Sequence, residues 1–339
     1  MRISVYIPLV VAALLALTGP ALARRLHPRT ATWALTGAAL VAAGGWLGAL
    51  ALLASTVFGQ VPQVAFLGAW SIRVLRADDP VARTVGATCA AVLLCATVAL
   101  GTACWRHGRV LVSAFKECRR MPGSDELTVV DATRVEAFAL PGAPGSPGRV
   151  VVSTGMLQVL DAPEREALLA HERAHLRGRH HFLLLGLWLA AAACPLLYPL
   201  AREGAFSVER WADEEAGVAV GDRAVVGRAV AMAALASAGD QRRTGLLAAT
   251  GGPVPRRVRA LLAPLPRPRR MPLLVITALV ALCCTSLVDA TQDAGTLFHG
   301  AHQAYLTAHA RYLAHPAVAD PRPATPRCGA TQWHGTGCP

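Results

Sequence analysis

The sequence predicts a mainly α, integral membrane protein, with about four transmembrane helices joined to a cytoplasmic α+β domain that carries a small sheet. Three observations lead there. Hydrophobic residues make up 54% of the 339 positions and mean hydropathy is +0.42, too apolar for an ordinary soluble domain. Four stretches, 3–23, 31–57, 85–105 and 272–290, are each long enough to cross ~30 Å of hydrocarbon as a helix. Between the third and fourth stretches the pattern changes to short strand-like runs followed by a capped, polar helix. Any single apolar stretch is compatible with a buried helix of a soluble domain, but four with basic flanks are not.

The first stretch has two readings. Arg2, the apolar run and Ala21-Leu22-Ala23 resemble a cleaved signal peptide. Cleavage there would export Arg24, Arg25 and Arg29, against the positive-inside rule, so a retained helix with its N-terminus outside is favoured. Residues 106–120 carry five Lys/Arg and 255–270 carry six arginines. Loop 58–84 has three arginines, with Asp78 and Asp79 beside them. The expected layout of a multi-pass cell-membrane protein is then three transmembrane helices in 1–105, a cytoplasmic domain in 106–271, a fourth helix at 272–290 and an extracytoplasmic tail at 291–339.

Residues 126–132, 134–140 and 149–156 have strand character, and the turn-rich PGAPGSPG at 141–148 joins the last two. Asp161 then fits an N-cap, Glu164 the third position of a capping box and Pro163 the first turn of a helix. That helix contains HERAH, 171–175. His171 and His175 are one turn apart on one face, so both imidazoles can bind one Zn²⁺, and Glu172 can face a metal-activated water. Leu168, Leu169 and Ala174 are expected toward a core, with Arg165, Arg173 and Arg177 in water. The competing reading is a surface helix with two solvated histidines.

Catalytic zinc takes three protein ligands, so one more is needed. The segment SVERWADEEAG, 207–217, offers Glu209, with Asp213 one turn further to accept the free ring N–H of a histidine ligand. Glu214 and Glu215 are rival ligands. The Glu-x-x-Ala-Asp pattern belongs to Glu209 alone and favours it. A helix rich in small residues follows at 224–239, suited to close packing.

HExxH followed by a Glu-x-x-Ala-Asp helix resembles the gluzincin membrane peptidases, which include the Ste24/HtpX-like proteases and the BlaR/MecR-type signalling peptidases. VVVSTGMLQVLDAPEREALLAHERAH, 150–175, is similar to the family's strand, Ser/Thr-Gly turn and helix ahead of the metal helix. The resemblance covers about 105–235, and the layout of apolar segments matches the BlaR/MecR-type proteins. It implies a zincin-like metallopeptidase domain in which His171, His175 and Glu209 bind zinc, Glu172 is the catalytic base and Asp213 supports the site. The implied function is a zinc-dependent endopeptidase in regulatory proteolysis or signalling, with the lipid bilayer and a protein or peptide substrate, such as a cytoplasmic regulator, as partners. The tail of 49 residues has no Ser-x-x-Lys motif, so the penicillin-binding sensor domain of the antibiotic-sensing relatives is lacking and β-lactam sensing does not carry over. A noncatalytic signalling or scaffold protein with a structural zinc is the alternative, and intact Glu172 speaks against it. An intramembrane protease is a third reading; Arg165, Arg173, Arg177 and Arg179 around the motif oppose it. The reaction also needs a group for the tetrahedral oxyanion, for which Arg223 is a candidate beside its simpler reading as a surface arginine.

This assignment constrains FLLLGLWLAAAACPLLYPL, 182–200. One crossing would put Glu209 and the histidines on opposite sides of the bilayer. The segment must return, as a hairpin or a membrane-associated helix broken near Pro195 or Pro199, or be a buried helix of the domain. The net charge of +12 does not indicate nucleic acid, because the arginines flank apolar spans, where they act as retention signals and attract anionic lipid. Six of nine cysteines lie in apolar segments, Cys118 is expected reduced, and Cys328 and Cys338 can form a disulfide in the external tail. His302, Tyr305, His309 and Tyr312 recur at helical spacing, the mark of an amphipathic helix, with a metal- or pH-sensing surface as the sharper alternative beside His299 and His315.

Overall fold

The computed structural model describes residues 3–78, 81–121, 125–142, 147–243, 254–265 and 269–314. The chain enters through a 3-10 turn at Ser4–Tyr6 into α1 (Ile7–Ala23), then α2 (Pro28–Phe58), short α3 (Pro62–Gly68) and α4 (Ile72–Asp78), and long α5 (Arg83–Arg120). Three strands follow, β1 (Leu127–Val130), β2 (Ala137–Leu140) and β3 (Arg149–Ser153). The rest is helical: α6 (Thr154–Val159), α7 (Ala162–Arg177), α8 (His180–Ala193), α9 (Tyr198–Val220), α10 (Arg223–Arg243), α11 (Val254–Leu262) and α12 (Met271–Ala314). Four of these stretches, Ser4–Ala23, Pro28–Phe58, Arg83–Arg120 and Met271–Ala314, are long and apolar enough to cross a membrane. Each contains one of the apolar runs recognised in the sequence.

Helix α2 is the hub, packing against α1, α5, α8, α9 and α12. It starts at Pro28, where a missing N–H costs nothing. Its small residues Ala38, Ala39 and Ala42 are buried, and the core around them includes Leu15, Leu35, Leu187 and Leu200. A Cβ on Gly45 would lie 2.4 Å from Cys283 Sγ, so a hydrogen there lets α12 approach α2 closely. Helix α5 leaves Leu94, Val98 and Val110 exposed, an apolar outer surface suited to lipid.

Two elements run further than their apolar cores. Helix α5 continues through the basic 106–120, and α12 continues past 290, carrying His299, His302 and His309. The segment expected as a loop at 58–84 instead folds into α3 and α4 and docks on the far half of α12. Trp70 stands edge-on to Phe298 with centroids 5.3 Å apart, Ser71 N–H donates to Ala301 O at 2.9 Å, and His302 Nδ1 lies 2.7 Å from Ala69 O. Cys328, Cys338 and His315 lie outside the described residues.

The strands are shorter than their sequence signals. β3 is central, parallel to β1 (Leu127 opposite Val150) and antiparallel to β2 (Leu140 opposite Arg149). Val150, Val151 and Val152 are all buried because β3 is covered on both faces. The edge strand β2 lies against α7.

Residues 182–200 turn back on themselves. Helix α8 has 14 residues, about 21 Å at 1.5 Å per residue, which is short of a bilayer's hydrocarbon thickness. A 3-10 turn at Pro195–Leu197 ends it, and α9 returns alongside. Pro195 marks the break, whereas Pro199 sits harmlessly in the first turn of α9. This helical hairpin brings Glu209 back to His171 and His175.

Candidate metal centre

Helix α7 begins with the capping box read from the sequence: Glu164 N–H donates to Asp161 Oδ1 at 2.8 Å, and Asp161 N–H donates to Glu164 Oε2 at 3.1 Å. The helix is thus fixed ahead of its two histidines. His171 Nε2 and His175 Nε2 face each other at 3.1 Å. From α9, Glu209 places Oε2 3.7 Å from His171 Nε2 and Oε1 3.6 Å from His175 Nε2. The three donors lie within 4.8 Å of one another. Ligands about 2.0–2.1 Å from a tetrahedral zinc are roughly 3.3 Å apart, so this triangle has the size such an ion needs.

Asp213 is 1% exposed, and its Oδ1 lies 3.0 Å from His171 Nδ1, on the ring edge away from the donor triangle. The contact is electrostatic rather than a well-aligned hydrogen bond. Burial alone would pull the His171 imidazolium down, but the neighbouring carboxylates of Asp213 and Glu209 outweigh it and lift the group to about 9. A divalent cation in the triangle would take the place of that proton. His175 moves the other way, to about 4, through burial and then the nearby His171 charge. For Glu209 burial pushes upward, and His171, His175 and Arg257 prevail, holding it near 2. Burial raises the Glu172 carboxyl, the direction a general base needs, opposed by the His171 charge.

Two residues at the centre were not anticipated. Arg257 of α11 grips Asp213 through Nε at 2.9 Å and Nη2 at 2.5 Å, and reaches Glu209 Oε2 through Nη1 at 3.0 Å. In the sequence it merges into the basic 255–270 stretch, where it counts only toward topology. The available signal is spacing: Val254, Arg257, Val258 and Leu261 stand at i, i+3, i+4 and i+7, the packing stripe of a helix. The second is His180, at the start of α8. Its Nδ1 lies 3.0 Å from His175 Nδ1, and its ring rests against Trp211. Burial and His175 lower it to about 3, so it is a neutral imidazole able to accept the His175 ring N–H.

The rival carboxylates are employed elsewhere. Glu214 is held by Arg210 at 2.8 Å and by both Nε and Nη2 of Arg223 at 2.8 Å. Glu215 accepts from Trp211 Nε1 at 2.6 Å and from Arg177 at 3.1 Å. Arg223 is no oxyanion partner: besides Glu214 it clamps the end of α11, donating to Ala263 O at 2.6 Å and Ala260 O at 3.0 Å. Arg173 is paired with Glu126 at 3.1 Å rather than simply wet.

The donors and Glu172 line a cavity of about 460 Å³ between β2, α7 and α10. Its other walls are mostly apolar, with Phe138, Leu168, Val226, Val230 and Ala233, and also carry His181, Ser237 and Arg257. Fold and site together define a class: a bundle of membrane-length helices carrying a His-His-Glu group of the size to hold a metal ion, opening on a cavity. Comparison with known proteins narrows it. Residues 105–198 match the model of peptidase family M48. Over 53 residues the chain is 47% identical to Protease HtpX of Xanthomonas euvesicatoria pv. vesicatoria (strain 85-10), a stretch that covers 16% of this chain and 18% of that protein. No solved structure matches the chain. The M48 match includes His171, Glu172 and His175 and stops before Glu209, whose place in the site rests on the geometry.

Proposed function

We propose that this chain is a membrane-bound zinc endopeptidase of the gluzincin type. The observation that carries the reading is the triangle of His171 Nε2, His175 Nε2 and a Glu209 carboxylate oxygen, with Glu172 on the same cavity wall. Zn²⁺ bound by those three residues would lower the pKa of a water molecule and polarise the scissile carbonyl. Glu172 accepts the water's proton and returns it to the departing amine. Arg257 and Asp213 keep Glu209 and His171 in place, and His180 does the same for His175. The edge strand β2 borders the cavity and offers its backbone to an extended peptide, while the apolar walls receive a side chain.

In this reading the four long helices lie in the cell membrane, the metal centre faces the cytoplasm, and the substrate is a protein or peptide, such as a cytoplasmic regulator cleaved in signalling. The BlaR/MecR-like order of helices supports that role, as does the basic character of the segments beside the catalytic region. A purely structural zinc is disfavoured, because such sites use four protein ligands and the donor group among the described residues has three, opening on a cavity. The deciding experiment measures zinc stoichiometry and peptide hydrolysis of the detergent-purified protein beside Glu172→Gln and His171→Ala. Glu172→Gln is expected to keep zinc and lose on the order of 10²-fold or more in turnover, and His171→Ala to lose both. Wild-type turnover in Glu172→Gln would remove the assigned base. Comparing protein termini in membranes holding the wild type or Glu172→Gln then identifies substrates.

A further inference from the structure

A second cavity, of about 370 Å³, opens where α1 hands over to α2 and both meet α9 and α11. Four arginines line it, Arg24, Arg210, Arg256 and Arg259, with Glu203 as the lining carboxylate. Glu203 is buried on α9 and gripped by both terminal nitrogens of Arg256, with Nη1 at 2.8 Å from Oε2; Arg24 Nε reaches it at 3.5 Å. Arg210 shares Glu214 with Arg223 and is set aside from the count. Arg259 makes no ion pair among the described residues. Glu203 therefore balances one of the remaining three arginines, and two positive charges stay unmatched. The other wall is apolar, built from Ala23, Leu26 and Ala31 beside Phe206, whose ring lies 3.7 Å from the Arg256 guanidinium carbon.

We infer that this cavity binds the phosphate of an anionic phospholipid. Charge and depth account for the choice. Two unmatched guanidiniums suit a phosphodiester oxygen pair. The cavity also lies at the ends of two membrane-length helices, the depth at which the proposed bilayer placement puts a headgroup, and its apolar wall offers a surface beside the arginines for the start of the acyl chains. A soluble acidic ligand would account for the charge and not for the apolar wall. The bound headgroup bridges Arg24, at the end of α1, to Arg259 on α11, and so ties the membrane bundle to the short helix that also supplies Arg257 to the metal centre.

This inference depends on the bilayer placement above and not on hydrolysis. Resistance to alkaline carbonate extraction tests the bilayer placement separately. The full-length protein in neutral detergent is titrated with phosphatidylglycerol or phosphatidylcholine and bound lipid is counted by native mass spectrometry. One phosphatidylglycerol is expected to bind in preference to phosphatidylcholine. The double variant R24Q/R259Q is expected to bind it on the order of tenfold more weakly, and R106Q/R109Q, two arginines on α5 away from the cavity, to bind as wild type. Should R24Q/R259Q fold poorly, the single charge reversal R259E, at an exposed position, is expected to show the same loss. Equal binding of the two lipids, or undiminished phosphatidylglycerol binding in a folded R259E, would overturn the inference. Displacement of the lipid by equimolar inorganic phosphate would overturn its lipid part and assign the cavity to a soluble phosphate.

Discussion

At Arg257 one guanidinium serves two carboxylates, Asp213 and Glu209, that α9 presents one turn apart, Glu209 within the donor triangle and Asp213 behind His171. Asp213 is 1% exposed and the Arg257 side chain 12%, so neither charge has water to fall back on. Breaking such a pair from one side costs about 3–5 kcal/mol. Arg257→Ala is therefore expected to lower the thermal midpoint in detergent and to release zinc, while Arg257→Lys, which keeps the charge and loses the fork, falls between it and wild type. An unchanged midpoint and metal content in Arg257→Ala would show that the carboxylates are held by other means. His180 acts on the far side of the triangle. His180→Ala is expected to weaken zinc binding roughly 10- to 100-fold by freeing the His175 ring. His180→Asn, which restores a side-chain acceptor, should recover part of that affinity in a competition titration with a chelator. The HExxH pair and the Glu209–Asp213 spacing were legible because one helix face fixes them locally. Arg257 and His180 were not, because each reaches the site through a turn or linker whose geometry no local spacing specifies.

The turn between α7 and α8 decides whether His180 can reach His175. Gly178 caps α7, and a Cβ there would lie 2.2 Å from His180 Nε2. Arg179 follows in the left-handed region at φ 48°, reversing the chain so that α8 starts beside the metal helix. Neighbouring substitutions should therefore act in opposite senses. Gly178→Ala is expected to push the His180 ring off His175 and lower zinc affinity. Arg179→Gly removes left-handed strain and is expected to raise stability by up to about 1 kcal/mol with zinc affinity unchanged, as read from thermal midpoints and chelator competition. A loss of zinc in Arg179→Gly would mean that its side chain, not its backbone, holds the turn. At this scale the sequence was informative wherever a local rule operates. The Asp161–Glu164 capping box, the four apolar stretches, the three strands and the break near Pro195 are all set by neighbours in the chain. The parallel pairing of β1 with β3, the docking of α3 and α4 on α12, and the full length of α12 depend on partners far away in sequence, such as Trp70 with Phe298. The helical spacing of His302, Tyr305, His309 and Tyr312 was legible, but not that this helix continues unbroken from the apolar 272–290, a continuity that packing against 69–78 supports.

For the molecule as a whole, the hairpin of α8 and α9 is the feature on which a shared metal site depends. The apolar run 182–200 has nearly the length of a transmembrane segment, and a single crossing would separate Glu209 from His171 and His175. The return at Pro195–Leu197 places the metal ligands, the basic end of α5 and the arginine-rich α11 together at one end of the bundle, while α3, α4 and the last turns of α12 occupy the other. Positive residues concentrate at the donor-triangle end, which the proposed topology places in the cytoplasm. In a background without the native cysteines, a cysteine at exposed Arg177 is expected to resist an impermeant maleimide in intact cells and to react once the membrane is opened. A cysteine at exposed His309 is expected to react in both. Labelling of both positions in intact cells would mean that the chain between them does not cross the bilayer as α12 requires. Labelling of Arg177→Cys alone would invert the protein and turn the proposed proteolysis toward external substrates, leaving the donor triangle intact but removing the cytoplasmic regulator from the proposed function.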